Sequence, residues 1–123
     1  MHNKPRMLPV LFSTFCAGHR QSSWQPAADI YRTRTGWLIK LDVAGVRLED
    51  IKTEITATEV RIQGCRRDFQ SVEGCRHYSM EISYNRFQRF ISLPCDLTGA
   101  EVRVDCSNGI LLIELITEGN RRE

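Results

Sequence analysis

Glu101-Val102-Arg103-Val104-Asp105-Cys106-Ser107-Asn108-Gly109-Ile110-Leu111-Leu112-Ile113-Glu114-Leu115-Ile116 is the stretch on which the fold reading turns. Val102 and Val104 alternate with Glu101, Arg103 and Asp105, which gives one face to a core and the other to water. Asn108-Gly109 tolerates positive φ at both positions and is a strong signal for a two-residue hairpin. Beyond it, Ile110, Leu112 and Ile116 stand against Leu111, Ile113 and Leu115, so the second strand is apolar on both faces.

The same period recurs upstream. Trp37, Ile39, Leu41 and Val43 alternate with Leu38, Lys40, Asp42 and Ala44. Ile51, Thr53 and Ile55 alternate with Lys52, Glu54 and Thr56, and Val60 and Ile62 with Glu59, Arg61 and Gln63. Gly36, Ala44-Gly45 and Thr58-Glu59 separate the runs. Leu93-Pro94 stops another strand, because proline donates nothing to a ladder. Apolar residues nowhere recur at helical spacing for three turns; only Arg47 to Ile51 has room for one helical turn. Short strands spaced by roughly ten residues predict an all-β chain folded as a β-sandwich of antiparallel strands.

The chain has 123 residues, of which 41% are hydrophobic, enough for one domain with its own core. A net charge of +2, with basic residues scattered, argues against nucleic acid as a partner. No run approaches the roughly 20 apolar residues of a membrane span. Lys4 and Arg6 before Leu8 to Phe15 imitate a signal peptide, but Pro9, Ser13 and Thr14 break the apolar run. The five cysteines (Cys16, Cys65, Cys75, Cys95 and Cys106) are odd in number and widely spaced, so reduced thiols in a cytoplasmic protein are expected. Residues 1–23 contain no acid and show no clean period; they read as a flexible arm with apolar patches at Met7-Leu8 and Val10-Leu11-Phe12. Residues 24–117 form the domain and 118–123 a short tail.

Arg66 to Ser79 is a long polar stretch for the interior of a compact domain. Phe69 and Val72 suggest a short strand within it. Having no partner in its own sheet, such a strand is expected to pair with the edge of another subunit.

Catalytic motifs are absent. Cys75 and His77, two apart on the same stretch, are the nearest approach to a thiol with a base, and the simpler reading is two loop neighbours. Cys65, Cys75 and His77 offer three zinc ligands at best, so no metal is expected, and no cofactor. Arg86-Phe87-Gln88-Arg89-Phe90 imitates a nucleic-acid platform, but it runs into Ile91-Ser92-Leu93-Pro94 and reads as a packed strand. Arg89 then lies on or near a buried face and calls for a carboxylate, with Asp29, Asp42, Asp50 and Asp105 of this or a neighbouring subunit as candidates.

Four blocks in order resemble the α-crystallin domain of bacterial small heat-shock proteins. They are Trp24-Gln25-Pro26-Ala27-Ala28-Asp29-Ile30-Tyr31, then Leu41-Asp42-Val43-Ala44-Gly45-Val46 with Glu49-Asp50-Ile51, then Phe87-Gln88-Arg89-Phe90-Ile91-Ser92-Leu93-Pro94, then Asn108-Gly109-Ile110-Leu111-Leu112-Ile113-Glu114-Leu115. The resemblance covers about residues 24 to 116. It implies an immunoglobulin-like sandwich of two antiparallel sheets whose long loop carries a strand exchanged to build a dimer. It also implies an ATP-independent holdase, not an enzyme, which binds partly unfolded client proteins. On that reading Leu8, Val10, Leu11, Phe12 and Phe15 contact clients, and Phe69, Val72, Cys75, His77 and Arg89 serve homodimerisation. Ile51, Ile55, Val102 and Val104 line a groove.

The chain departs from the family pattern in places. Thr117 to Glu123 carry no Ile-x-Ile/Val motif, which speaks against building higher oligomers through that tail. Glu81-Ile82 stands where the family has Glu-Arg, and Asn85 where it has Gly. Leu8-Pro9-Val10 has the aliphatic-x-aliphatic form of the missing motif; either it docks in the groove, or Leu8 and Val10 simply belong to the client-binding arm. The alternatives are a CS-domain-like co-chaperone that binds a single folded partner, and a redox enzyme resting on Cys75 and His77 alone.

Overall fold

The computed structural model describes residues 24–68 and 73–117. Seven strands follow in order: β1 (Ala28–Arg32), β2 (Gly36–Asp42), β3 (Ile51–Ile55), β4 (Glu59–Cys65), β5 (Arg86–Ser92), β6 (Glu101–Ser107) and β7 (Ile110–Ile116). One 3-10 turn, Leu48–Asp50, precedes β3, where a helical turn was expected. The strands form two antiparallel sheets, β1-β2-β7-β6 and β3-β4-β5.

The period-two reading sets the packing. Ile39 and Leu41 of β2 and Leu111, Ile113 and Leu115 of β7 are fully buried. They meet Val60, Ile62, Phe87 and Ile91 from the other sheet in one apolar cluster. β7 is apolar on both faces because it lies between β2 and β6; its outward residues Ile110, Leu112 and Ile116 are half-buried. At the β6–β7 hairpin, Asn108 (φ 52°) and Gly109 (φ 80°) both occupy the left-handed region, as the Asn-Gly signal requires. Gly64 answers a different need: a Cβ there would come within 2.6 Å of the Asp50 carbonyl oxygen.

How the sheets face each other follows from the segment before β1. Trp24 bridges Phe87 of β5, and Arg89 of β5 donates to the Pro26 carbonyl at 3.4 Å. The β1 edge therefore lies over β5, which leaves the β6 edge over β3.

One charge pair is buried. Arg67, just past β4, donates from Nη2 to both Asp50 oxygens at 2.9 Å and from Nε to Oδ2 at 3.2 Å. This fork ties the start of β3 to the end of β4. It corrects two expectations. Asp50, offered as a partner for Arg89, is taken by Arg67. Arg89 is only half-buried and, among the described residues, bonds a carbonyl and no carboxylate, because its guanidinium reaches the segment before β1. The expectation of reduced thiols holds for Cys75, Cys95 and Cys106 but fails for Cys65, which is disulfide-bonded.

Removing one member of a buried pair strands the other charge. Asp50→Asn is expected to lower unfolding free energy by about 3–5 kcal/mol in urea titration. Arg89→Gly, which strands no carboxylate, is expected to cost about 1 kcal/mol. Equal losses in the two variants would show that the Arg67 fork is not the anchor.

Candidate functional site

A sandwich of two open sheets has four edges, and here two kinds of surface sit on them. The first is the trough between the β3 and β6 edges. Ile51, Thr53 and Ile55 alternate inward on β3 and are half-buried. Val102 and Val104, on the corresponding face of β6, remain 37% and 39% exposed. Ile51, Ile55 and Cys106 pack against the core as partly buried residues, whereas Val102 and Val104 stand outside it. The floor of the trough is apolar and its rims are charged, with Lys52 and Glu54 on one side and Glu101, Arg103 and Asp105 on the other. Arg103 pairs with Glu101 at 3.3 Å and reaches Glu114 at 3.9 Å, which keeps the β6 rim soluble without covering the valines. Cys106 continues the stripe of Val102 and Val104. Burial, and then the neighbouring Asp105 carboxylate, push its thiol above the ordinary range, so it stays protonated at neutral pH.

The second surface is the outer edge of β1. Among the described residues β1 pairs only with β2, and Ile30 and Tyr31 are exposed on it. The long loop supplies material for such an edge. Of the residues expected to dimerise, Phe69 and Val72 lie outside the described residues. Cys75 and His77 are exposed, and among the described residues they make no side-chain hydrogen bond or ion pair. A second apolar stripe follows them. Tyr78, Met80 and Ile82 are 100%, 52% and 59% exposed. They alternate with Ser79 and Glu81, a period-two stripe standing in water. It was legible in the sequence, but Glu81, Ser83 and Asn85 around it made it read as the end of a loop.

The residues expected to contact clients (Leu8, Val10, Leu11, Phe12 and Phe15) lie outside the described residues. Among the described residues, no group of three His, Cys, Asp or Glu is placed to hold a metal ion, and no helix is long and apolar enough to cross a membrane. A separate concavity of about 540 Å³ lies at the β1–β2 turn, lined by Arg32, Arg34, Trp37, Asp96 and Thr98 among others. Arg32 stacks on Trp37 at 4.9 Å, and hydrogen bonds from Thr98 hold the Asp96 carboxyl below its usual range. Among the described residues these groups show no nucleophile with a base beside it.

Comparison with known proteins places this geometry. The Hsp20/alpha crystallin family matches residues 29–123. Spore protein SP21 of Stigmatella aurantiaca is 33% identical over 90 residues, covering 73% of this chain and 53% of that protein. The 22.7 kDa class IV heat shock protein of Pisum sativum is 30% identical over 98 residues, 79% of this chain and 47% of that one. The chain thus spans about half the length of these relatives. Among solved structures, HSP18.5 from E. histolytica superposes with a TM-score of 0.65 at 20% identity, covering 82% of this chain and 95% of that one, which supports the fold. With its two open sheets, its Asn-Gly hairpin and its match from Asp29 onward, the chain belongs to the Hsp20/alpha crystallin family.

Proposed function

We propose that this protein is an ATP-independent holdase, which binds partly unfolded proteins and keeps them from aggregating, and that it assembles from strand-exchanged homodimers. Membership of the family supports the class of function. The observation that carries the reading is the pair of open apolar edges. Val102 and Val104 on β6, and Ile30 and Tyr31 on β1, are exposed on the two end strands of one sheet. A monomeric domain with no such role would cover or charge its edges. An extended segment of another chain adds to an edge through main-chain hydrogen bonds, with loose demands on its side chains. Tolerance of many sequences follows from that chemistry, and so does modest affinity for each.

The two surfaces take different occupants. The β1 edge suits the loop of a second copy. The exposed stripe Tyr78, Met80 and Ile82 has the right period, so the exchanged strand is centred there, a few residues beyond the Phe69 to Cys75 stretch first expected. Cys75 and His77 would then flank the exchanged strand, and Arg89 would face the dimer from β5. The trough suits an aliphatic-x-aliphatic segment, and Leu8-Pro9-Val10 is the candidate within this chain. Proline at its centre lowers the cost of ordering an extended strand. The arm residues Leu11, Phe12 and Phe15 remain the candidates for client contact. The setting proposed is the cytoplasm.

Three measurements test these points. A thermolabile enzyme heated with the protein in the absence of ATP should scatter less light at near-stoichiometric ratio; unchanged scattering with several unrelated clients would favour a binder of one folded partner. Met80→Asp should shift the dimer toward monomer by about tenfold or more in dissociation constant, read by sedimentation, since it puts a charge into a desolvated edge. Deleting residues 1–15 should speed iodoacetamide alkylation of Cys106 at fixed pH, relative to exposed Cys75, if Leu8-Pro9-Val10 occupies the trough. An unchanged ratio would show an empty trough. In either protein the Cys106 rate should climb with pH past the range of an ordinary thiol, because its raised pKa delays thiolate formation.

A further inference from the structure

The long loop leaves the sandwich at Arg66 and returns at Asn85 and Arg86. Both ends of the loop, the segment just past β2 and the residue where positions 1–23 join the domain converge on one residue, Arg66. The Arg66 backbone amide donates to the Asn85 carbonyl at 3.1 Å. Its Nε donates to the Ser83 carbonyl at 2.9 Å, and its Nη1 donates to the Ala44 carbonyl at 3.0 Å. The guanidinium lies over the Trp24 ring, 4.1 Å from the centroid. Trp24 closes the circuit: its indole Nε1 donates to the Asn85 carbonyl at 3.3 Å, and its backbone amide to the Arg86 carbonyl at 3.1 Å. Its ring leans on Phe87, with centroids 5.3 Å apart.

We propose that Arg66 is a positioning residue that couples the loop to the junction of residues 1–23, so that the base of the loop and the Trp24 strap open and close as one unit. The inference deepens the dimer reading above and rests on it for its consequence: the segment that engages a second copy would be held or released according to how Trp24 is seated.

The chemistry requires arginine. A planar guanidinium can lie flat on an indole while its edge donates to two carbonyls; an ammonium is a compact point charge without that fork. All of its hydrogen-bond acceptors here are backbone carbonyls, so no acidic side chain has to be in place and the clamp has no obvious dependence on pH. Ala44 lies two residues past β2, so the same side chain also ties the exit of β4 to the turn that follows β2.

Hydrogen exchange on the full chain tests the coupling. The amide of residue 66 reports closure of the loop on Asn85, the Trp24 amide reports closure of the strap on Arg86, and the Ile113 amide in β7 serves as a control. Arg66→Ala should speed exchange of the Trp24 amide by about tenfold, the combined worth of the stack and one shared hydrogen bond. Trp24→Leu should speed the residue 66 amide by a similar factor, although it alters neither that amide nor its acceptor. The double variant should add little to either single one, because both remove the same coupling. Arg66→Lys, which keeps the charge and the aliphatic stem, should resemble the alanine variant. An unmoved Trp24 amide in Arg66→Ala, full rescue by lysine, strictly additive effects, or equal acceleration at Ile113 would each overturn the proposal. Sedimentation of the unaltered chain addresses the dimer separately. A monomeric chain would defeat the dimer reading and leave the exchange test of the clamp intact.

Discussion

The apolar seam between the sheets is the interaction on which the rest of the structure depends. Ile39, Leu41, Leu111, Ile113 and Leu115 on one side meet Val60, Ile62, Phe87 and Ile91 on the other. Because side chains on a strand alternate, a slip of one residue in any strand would expose its whole apolar set. The seam therefore fixes every register at once, including those of the edge strands, whose own side chains are too exposed to do so. The Asn108-Gly109 turn reinforces the same register from one end. A rigid seam is what permits the edges to remain open without loss of the fold.

The consecutive arginines after β4 divide two tasks that are usually hard to combine. Arg67 turns inward, and its buried fork with Asp50 ties the two ends of the β3–β4 pair. Burial makes that contact costly to break from one side. Arg66 turns outward onto carbonyls and an indole, contacts that are individually worth little and can open without unfolding the seam. Stable anchoring and reversible gating thus come from neighbouring side chains pointing opposite ways at the mouth of one loop.

How much of this the sequence showed depended on the range of each signal. Local signals were readable: the alternation in β2, β3, β4, β6 and β7, the Asn-Gly turn and the stop at Leu93-Pro94 all appear where expected. The two-faced apolar pattern of Ile110 to Ile116 belongs to the strand that lies between β2 and β6. Ile51 and Ile55 are half-buried on β3 as their alternation suggests, and Val102 and Val104 remain exposed on β6. Long-range partners were not readable. Asp50 and Arg67 are 17 residues apart with a hairpin between them, and nothing in either neighbourhood singles out the other. Arg89 was expected to need a carboxylate because its strand is packed, yet its position beneath the Trp24–Pro26 strap supplies a carbonyl instead. The stripe at Tyr78, Met80 and Ile82 was present but diluted by polar neighbours, whereas Phe69 and Val72 drew attention through composition alone.

The two open edges set opposite demands, which explains why they differ in construction. The β6 edge is lined by small β-branched side chains with charges on the alternate positions. On the proposed reading an incoming segment would meet a shallow apolar floor there, and the charged rim would discourage sheet-to-sheet stacking. The β1 edge carries a large aromatic and an isoleucine, Tyr31 and Ile30, with Lys40 stacked on the tyrosine ring at 4.9 Å. Larger, more shaped side chains reward one complementary partner over many, and the matching stripe lies in the same chain. On the proposed reading, specific self-pairing and tolerant client binding would use different edge strands of one sandwich.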